Sequence, residues 1–456
     1  MLAGLIGGPG SSVGTGSGRL WCARERVVIG RRVEAVLTSN LLKRGFVSLL
    51  LTQFFGAAND NILKQVLIYM VATGLWAKGL GEGGQAYIAV SMSVPFILLS
   101  GFAGQIADRF SKRSVMIGVK LAEIPIAFTA LIGLWSQDLW VTFAAFLMLS
   151  IQSSFFGPAK YGVVPELVEG GDLSRANGAL NMFTNVAIIV GAMLAGPLAD
   201  LYHPKAGAGG DPDAPVLWAP GVALVLVAAL GLASILMMPR LRPGAPGLRY
   251  HLNPLHTYIT SIREMARTPL LIVALAWGYF YLLGSIALLA LPEYETVLRI
   301  DYTRTSYLIG MLGIAIGVGS VLCGLISGHH IKPRLIPVGA VGLSVCLLAL
   351  GILRPTYWNV ALLIIAAGVF AGFYIIPLQA LLQKLSPDDE RGRFLGTANA
   401  LSWCFITLGS IVYWIADSPL GLPANRIFLV SGVLAVLGTG IATVCLWGLL
   451  QQHKTV

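Results

Sequence analysis

The feature that most constrains this chain is a rhythm. From Gly45 onward, long apolar runs alternate with short polar breaks. Twelve runs can be read, at roughly 45–73, 84–107, 114–135, 138–158, 176–199, 216–238, 268–291, 304–328, 334–353, 357–382, 394–416 and 425–449. Each reaches the ~20 residues that a helix needs to cross ~30 Å of hydrocarbon. A segment in lipid must satisfy its own backbone hydrogen bonds, so helices are the expected form. Composition agrees: 56% of the 456 residues are hydrophobic and 11% are charged, against ~25% charged in soluble domains. These figures exclude a water-soluble globule, a disordered chain, a coiled coil and a disulfide-stapled secreted module. The 54 glycines suit close helix contact in a bilayer.

Residues 1–44 differ from the rest. Met1–Gly18 is rich in Gly and Ser, and Arg19, Arg24, Arg26, Arg31, Arg32, Lys43 and Arg44 follow. The apolar piece Met1–Ile6 is too short for a signal-peptide core, so a flexible basic cytoplasmic tail is expected. Of the 31 Lys and Arg residues, 23 fall in this tail, the even-numbered loops and the C-terminus; six fall in odd-numbered loops and two, Lys64 and Lys120, within spans. That bias places both termini in the cytoplasm. It also accounts for the net charge of +10, so no nucleic-acid partner is expected. Cys22, Cys323, Cys346, Cys404 and Cys445 show no C-x-x-C spacing. They read as small core residues, with no disulfide frame and no metal site.

The chain repeats itself. Gly104-Gln-Ile-Ala-Asp108 after span two recurs as Gly324-Leu-Ile-Ser-Gly after span eight, 220 residues later. Pro158, which should close span four, recurs as Pro377 in span ten after 219 residues, and Ala176-Asn177 recurs as Ala398-Asn399 after 222. A duplicated six-helix unit follows. The expected fold is all-α: twelve transmembrane helices in two six-helix halves, the parallel-repeat architecture of major facilitator transporters. The expected segments are a tail (1–44), an N-terminal bundle (45–239), a cytoplasmic linker (240–267) and a C-terminal bundle (268–450).

Charges stand where lipid should be. Span one carries Asn59-Asp60-Asn61 and Lys64. An Asp and a Lys at a helix centre together oppose insertion by ~5–7 kcal/mol. Such a cost persists when the groups face a polar interior. Asp60 and Lys64, four apart on one face, either neutralise each other or meet a cargo. Span three repeats the theme with Lys120 and Glu123, and span four carries Gln152. Lys160 is expected just past the end of span four, where it either snorkels to the interface or serves the site. Among the last six spans, Gln379 and Gln383 in span ten and Asp417 near the end of span eleven are the polar exceptions. This one-sidedness suits a substrate with a charged head and an apolar body. Tyr279-Phe280-Tyr281 reads as packing, and Trp76, Trp135, Trp140 and Trp358 as an aromatic belt.

The loop Gly104–Arg113 suggests gating. Gly104 permits close helix approach, while Asp108, Arg109, Lys112 and Arg113 can latch helix ends together in one of two states. No P-loop, G-x-S-x-G or H-E-x-x-H pattern is present, so neither an enzyme nor a cofactor is expected.

Gln53-Phe-Phe-Gly-Ala-Ala-Asn-Asp60-Asn61, Gly104-Gln-Ile-Ala-Asp108, Pro158-Ala-Lys160-Tyr-Gly162, Ala176-Asn177-Gly178 and Pro377-Leu-Gln-Ala-Leu-Leu-Gln383 together resemble the bacterial lysophospholipid transporter family of the major facilitator superfamily. The resemblance runs from about 45 to 450. It implies a flippase-like carrier bringing lysophosphatidylethanolamine and lysophosphatidylglycerol from the outer to the inner leaflet of the cytoplasmic membrane. There a separate acyltransferase/acyl-carrier-protein synthetase would reacylate them. It also implies that Asp60 is the central headgroup residue, with Lys160 in its matching motif. Two departures stand out. Ala58-Asn59-Asp60-Asn61 replaces the family's Phe-Gly-Asp-Asn. The family's cation in span seven is missing, because Trp277-Gly278 leads to apolar residues and Gly284. Phosphate would then fall to Lys64, Lys120 or Lys160, or the headgroup differs. The substrate-binding set is thus Asn59, Asp60, Asn61, Lys64, Lys120, Glu123, Gln152, Lys160 and Gln379. A proton-coupled exporter of amphipathic drugs or other small solutes, with Asp60 as the proton carrier, is the alternative.

Overall fold

A computed structural model describes residues 43–452, apart from 73–74, 77–78, 82, 169–172, 205–213, 242–253, 328–330 and 387–390. The expected tail and most of the linker therefore lie outside the described residues. The described residues include twelve long helices: α1 (Arg44–Ala72), α2 (Gly84–Arg109), α3 (Lys112–Trp135), α4 (Leu139–Leu167), α5 (Leu173–Tyr202), α6 (Ala219–Leu236), α7 (Leu270–Ala290), α8 (Tyr302–Ser327), α9 (Leu335–Ile352), α10 (Tyr357–Leu385), α11 (Arg391–Asp417) and α12 (Ala424–Gln452). A short linker helix, Pro254–Met265, precedes α7, and no strand occurs among the described residues. Ten of the twelve contain stretches long and apolar enough to cross a membrane. In α1, Gln53, Asn59, Asp60, Asn61, Lys64 and Gln65 dilute the apolar character, and α2 offers only the shorter stretch Gly84–Leu99.

Two expectations about proline need correcting. Pro158 does not close the fourth span: α4 runs on through Pro158 and Pro165 to Leu167. Pro377 does not break the tenth, which continues to Leu385. Neighbouring helices and local adjustments satisfy the backbone groups that proline frees, so membrane helices tolerate it. Lys160 therefore lies within α4 and not beyond it. Two side-chain expectations also shift. Cys404 is exposed, although Cys323 and Cys346 are buried. Trp76 is buried and donates to the Gln137 carbonyl, whereas Trp135, Trp140 and Trp358 are exposed.

The helix pairing repeats. In the first half α1 packs on α4, α5 and α6, α4 packs on α2 and α3, and α3 packs on α6. Six helices later, α7 packs on α10, α11 and α12, α10 packs on α8 and α9, and α9 packs on α12. The halves meet along two equivalent seams, α5 with α8 and α2 with α11. Inside lipid there is no hydrophobic force between helices, so packing and polar contacts must hold such seams.

Polar clasps cross both seams at the end distal to Arg44 and Gln452. On the α5–α8 seam the Asp200 carboxylate caps α8, accepting from the Tyr302 amide at 2.9 Å and the Thr303 amide at 2.8 Å, as well as from the Thr303 hydroxyl. Near the α2–α11 seam, Gln85 donates to the Leu289 carbonyl at 3.1 Å and to Glu293 at 3.2 Å, and Tyr413 bonds to both Gln85 and Glu293. At the proximal end the linker helix packs against both α2 and α11.

Candidate functional site: a polar network in the first half

The intramembrane charges converge in one network on α1, α3 and α4. Lys120 and Glu123 form an ion pair of 2.5 Å, with side chains 3% and 1% exposed. Their i,i+3 spacing puts them on one face of α3. The pair is sunk in protein because Gly56 of α1 makes room: a Cβ there would lie 2.5 Å from the Lys120 ammonium. The same ammonium sits 5.3 Å from the centre of the Phe156 ring.

Glu123 is fully engaged. One oxygen accepts from the Asn59 amide at 2.9 Å; the other takes Lys120 and, at 3.3 Å, the Gln152 amide. Gln152 also donates to the Val119 carbonyl at 3.0 Å, tying α4 to α3. A buried pair this well bonded contributes little net stability, but losing one partner strands a charge. Lys120, Glu123 and Gln152 thus brace three helices together.

Asp60 is different. Ser153 of α4 donates to its Oδ2 at 2.8 Å, while its Oδ1 is buried with no partner among the described residues. The Asn59 Oδ1 is likewise buried and unpaired. Two orphaned acceptors on adjacent residues are costly in a low-dielectric interior unless a donor arrives. Asp60 and Lys64 do not pair; Lys64 instead donates to Asn61 at 2.8 Å, and Asn61 donates to the Ala57 carbonyl at 2.8 Å. α1 presses against α5 beside this point, where Gly191 leaves no room for a Cβ: one would lie 2.7 Å from the Ala58 carbonyl.

Lys160 makes neither hydrogen bond nor ion pair among the described residues; its ammonium lies 4.9 Å from the Tyr161 ring centre. It follows Ser153 by seven residues, two turns along the same face of α4. Helical side chains lean toward the N-terminus, which directs Lys160 back toward Ser153 and Asp60. The site thus holds acceptors in want of a donor and, two turns away, a cation that interacts electrostatically with Asp60 but makes no hydrogen bond or ion pair among the described residues. Gln379 is half-buried on α10, in the other half.

Of the loop residues expected to gate, Lys112 and Arg113 are engaged within the first half. Lys112 pairs with Glu166 of α4 at 2.7 Å, and Arg113 donates to the Met238 carbonyl beyond α6 at 2.8 Å. Ser111 donates to the Leu241 carbonyl at 2.8 Å. A Cβ added at Gly104 would lie 4.0 Å from Pro158, Arg109 lies near the Phe110 ring, and Asp108 occupies the last turn of α2 with its side chain outside the description. Sequence reasoning missed Ser153, Asp200, Glu166 and the Gln85–Glu293–Tyr413 cluster. Nothing in the string marks these residues, because their partners are distant in sequence. No cluster of metal-ligating residues occurs among the described residues.

The family model described as Major Facilitator Superfamily matches residues 47–410. The lysophospholipid transporter LplT of Photorhabdus laumondii is 29% identical over 75% of this chain and 81% of its own length. The protein of the same name from Cronobacter sakazakii is 28% identical over 80% and 85%. Among solved structures, a POT family transporter in complex with a thioalcohol-conjugated peptide superposes with a TM-score of 0.69 at 15% identity, covering 88% of this chain and 96% of that one. With twelve helices paired in two equivalent halves, the chain belongs to the Major Facilitator Superfamily.

Proposed function

We propose that this protein carries lysophospholipids across a bacterial cytoplasmic membrane, from the outer to the inner leaflet, with both termini in the cytoplasm. The observation that carries the reading is the pair of orphaned acceptors, Asn59 Oδ1 and Asp60 Oδ1, beside Lys160, which makes no hydrogen bond or ion pair among the described residues. An ammonium or hydroxyl headgroup satisfies the acceptors, and its phosphate meets Lys160, replacing the phosphate-binding cation that the family resemblance places in span seven. The relatives named as lysophospholipid transporters support the same substrate class. Lys120, Glu123 and Gln152 hold the frame, while Asn61 and Lys64 line it. Gln379 would face the headgroup from the other half. The two halves rock about this site. The 104–113 loop keeps the first half rigid as they do so, and the distal clasps open and close. A separate acyltransferase consumes the delivered lysolipid; this chain itself performs no chemistry.

The test is uptake of labelled lysophosphatidylethanolamine and lysophosphatidylglycerol by proteoliposomes. Asp60→Asn should cut the rate about 10- to 100-fold, the value of one charge-assisted hydrogen bond lost. Lys160→Ala should weaken both substrates by about tenfold. Wild-type rates in both variants overturn the assignment.

A further inference from the structure

The second half contains a cavity of about 60 Å³ toward its distal side, walled by α7, α8, α9, α10 and α12. Its lining is wholly apolar and includes Phe280, Gly284, Ala287, Leu312, Leu347 and Ala367. Such a space stays dry, because water needs two to four polar partners. An unfilled void in a packed core forfeits dispersion contacts, so an apolar occupant gains by entering. A Cβ added at Gly284 would meet nothing within 4 Å, so a side chain there has room to extend. Phe280, Gly284 and Ala287 are only half-buried, so the cavity communicates with the space beside α7.

Depth links this cavity to the polar site. The repeat landmarks recur after 219 to 222 residues, which carries Asp60 onto positions 279–282 of α7. Gly284 lies two to five residues beyond that level, and the lining runs on to Leu291, Leu350 and Phe428 toward the distal end. The first half therefore presents orphaned polar acceptors at mid-helix, and the second an apolar hole that starts near that level and extends distally.

We propose that this cavity seats the methyl end of the single acyl chain of the lysolipid, and that Gly284 sets the longest chain accepted. The inference rests on the lysolipid reading above. Its room is about two water-sized groups, enough for the last carbons of a chain and not for a second chain. The tail is thereby held inside the protein and not left in the bilayer.

Gly284 variants test it in proteoliposomes, using lysophosphatidylethanolamine with saturated chains of about 12 to 18 carbons; each methylene admitted or refused is worth about 0.8 kcal/mol, roughly fourfold. Gly284→Ala is free of steric conflict and improves helix propensity, so it should fold. It should lower the ratio of longest-chain to shortest-chain uptake about fourfold, and Gly284→Leu should lower it at least tenfold. Leu347→Ala enlarges the cavity and should raise the ratio. Unchanged ratios in the Gly284 variants, or equal losses at every chain length, overturn the proposal. If wild-type protein transports no lysolipid of any length, the functional reading itself fails, which is a separate outcome.

Discussion

The two halves of this protein pair their helices in the same way and fill them with opposite chemistry. α1 sits among α4, α5 and α6 as α7 sits among α10, α11 and α12. Yet α1 carries Asn59, Asp60, Asn61 and Lys64 at mid-length, while α7 offers Leu282, Leu283 and Gly284. Around α1 lies a bonded network of Lys120, Glu123, Gln152 and Ser153. Around α7 lies an apolar cavity. Helix pairing is thus indifferent to what the interior holds, and the difference between the interiors must be read as function. A substrate polar at one end and apolar at the other matches both halves at once.

The largest break in this comparison should come from Lys120→Ala. It strands Glu123 in a site 1% exposed, and an uncompensated buried charge costs about 3–5 kcal/mol. Thermal unfolding in detergent should show a large loss of stability, or folded protein should not accumulate. The double variant Lys120→Met with Glu123→Gln removes both charges and keeps much of the volume. It should recover most of that stability, and with it lysolipid uptake, if the pair braces the helices. Recovered stability without uptake would instead place Lys120 or Glu123 on the substrate, making the first half's polar contact wider than Asp60, Asn59 and Lys160.

Much of this contrast is legible in the string. Twelve apolar runs foretell twelve helices because the bilayer fixes their length. Asp60, Lys120 and Glu123 stand out because insertion penalises them. What the string hides is pairing. Asp60 and Lys64 share a helix face, yet Lys64 bonds Asn61. Spacing within one helix cannot show that α4 brings Ser153 to Asp60. Nor does it show that both Glu123 oxygens are consumed. Pro158 and Pro377 misled for a related reason: their cost is relieved by tertiary neighbours, which local rules do not see.

A smaller effect probes the seam between the halves. Asp200→Ala removes the acceptor that α5 lends to the start of α8. A helix cap is worth about 0.5–2 kcal/mol, so stability should fall by that order. The clasp exists only while the distal end is shut, so the loss should also shift the population toward distal opening. A single cysteine at Ser306, buried in the closed seam, should react faster with a thiol reagent when Asp200 is replaced, on a background with the native cysteines removed. Equal rates would mean that the clasp fastens α8 without holding the seam.

The smallest effect belongs to Arg304, one turn away on the second half's side of that seam. It faces Asp301 at 3.9 Å, with both side chains about half exposed or more, at 63% and 49%. Exposed pairs of this kind are worth about 0–1 kcal/mol, so Arg304→Ala should change the melting temperature little and leave Ser306 labelling unaltered. The contrast with Asp200 is instructive because Asp301 also bonds the first turn of α8, accepting from the Arg304 amide at 2.6 Å. One aspartate caps the helix from its own half and one from the other half. If Arg304→Ala moved labelling as strongly as Asp200→Ala, surface charge near the loop would be setting the seam. Then the equivalence of the two seams, and not the clasps that cross them, would carry the closed state.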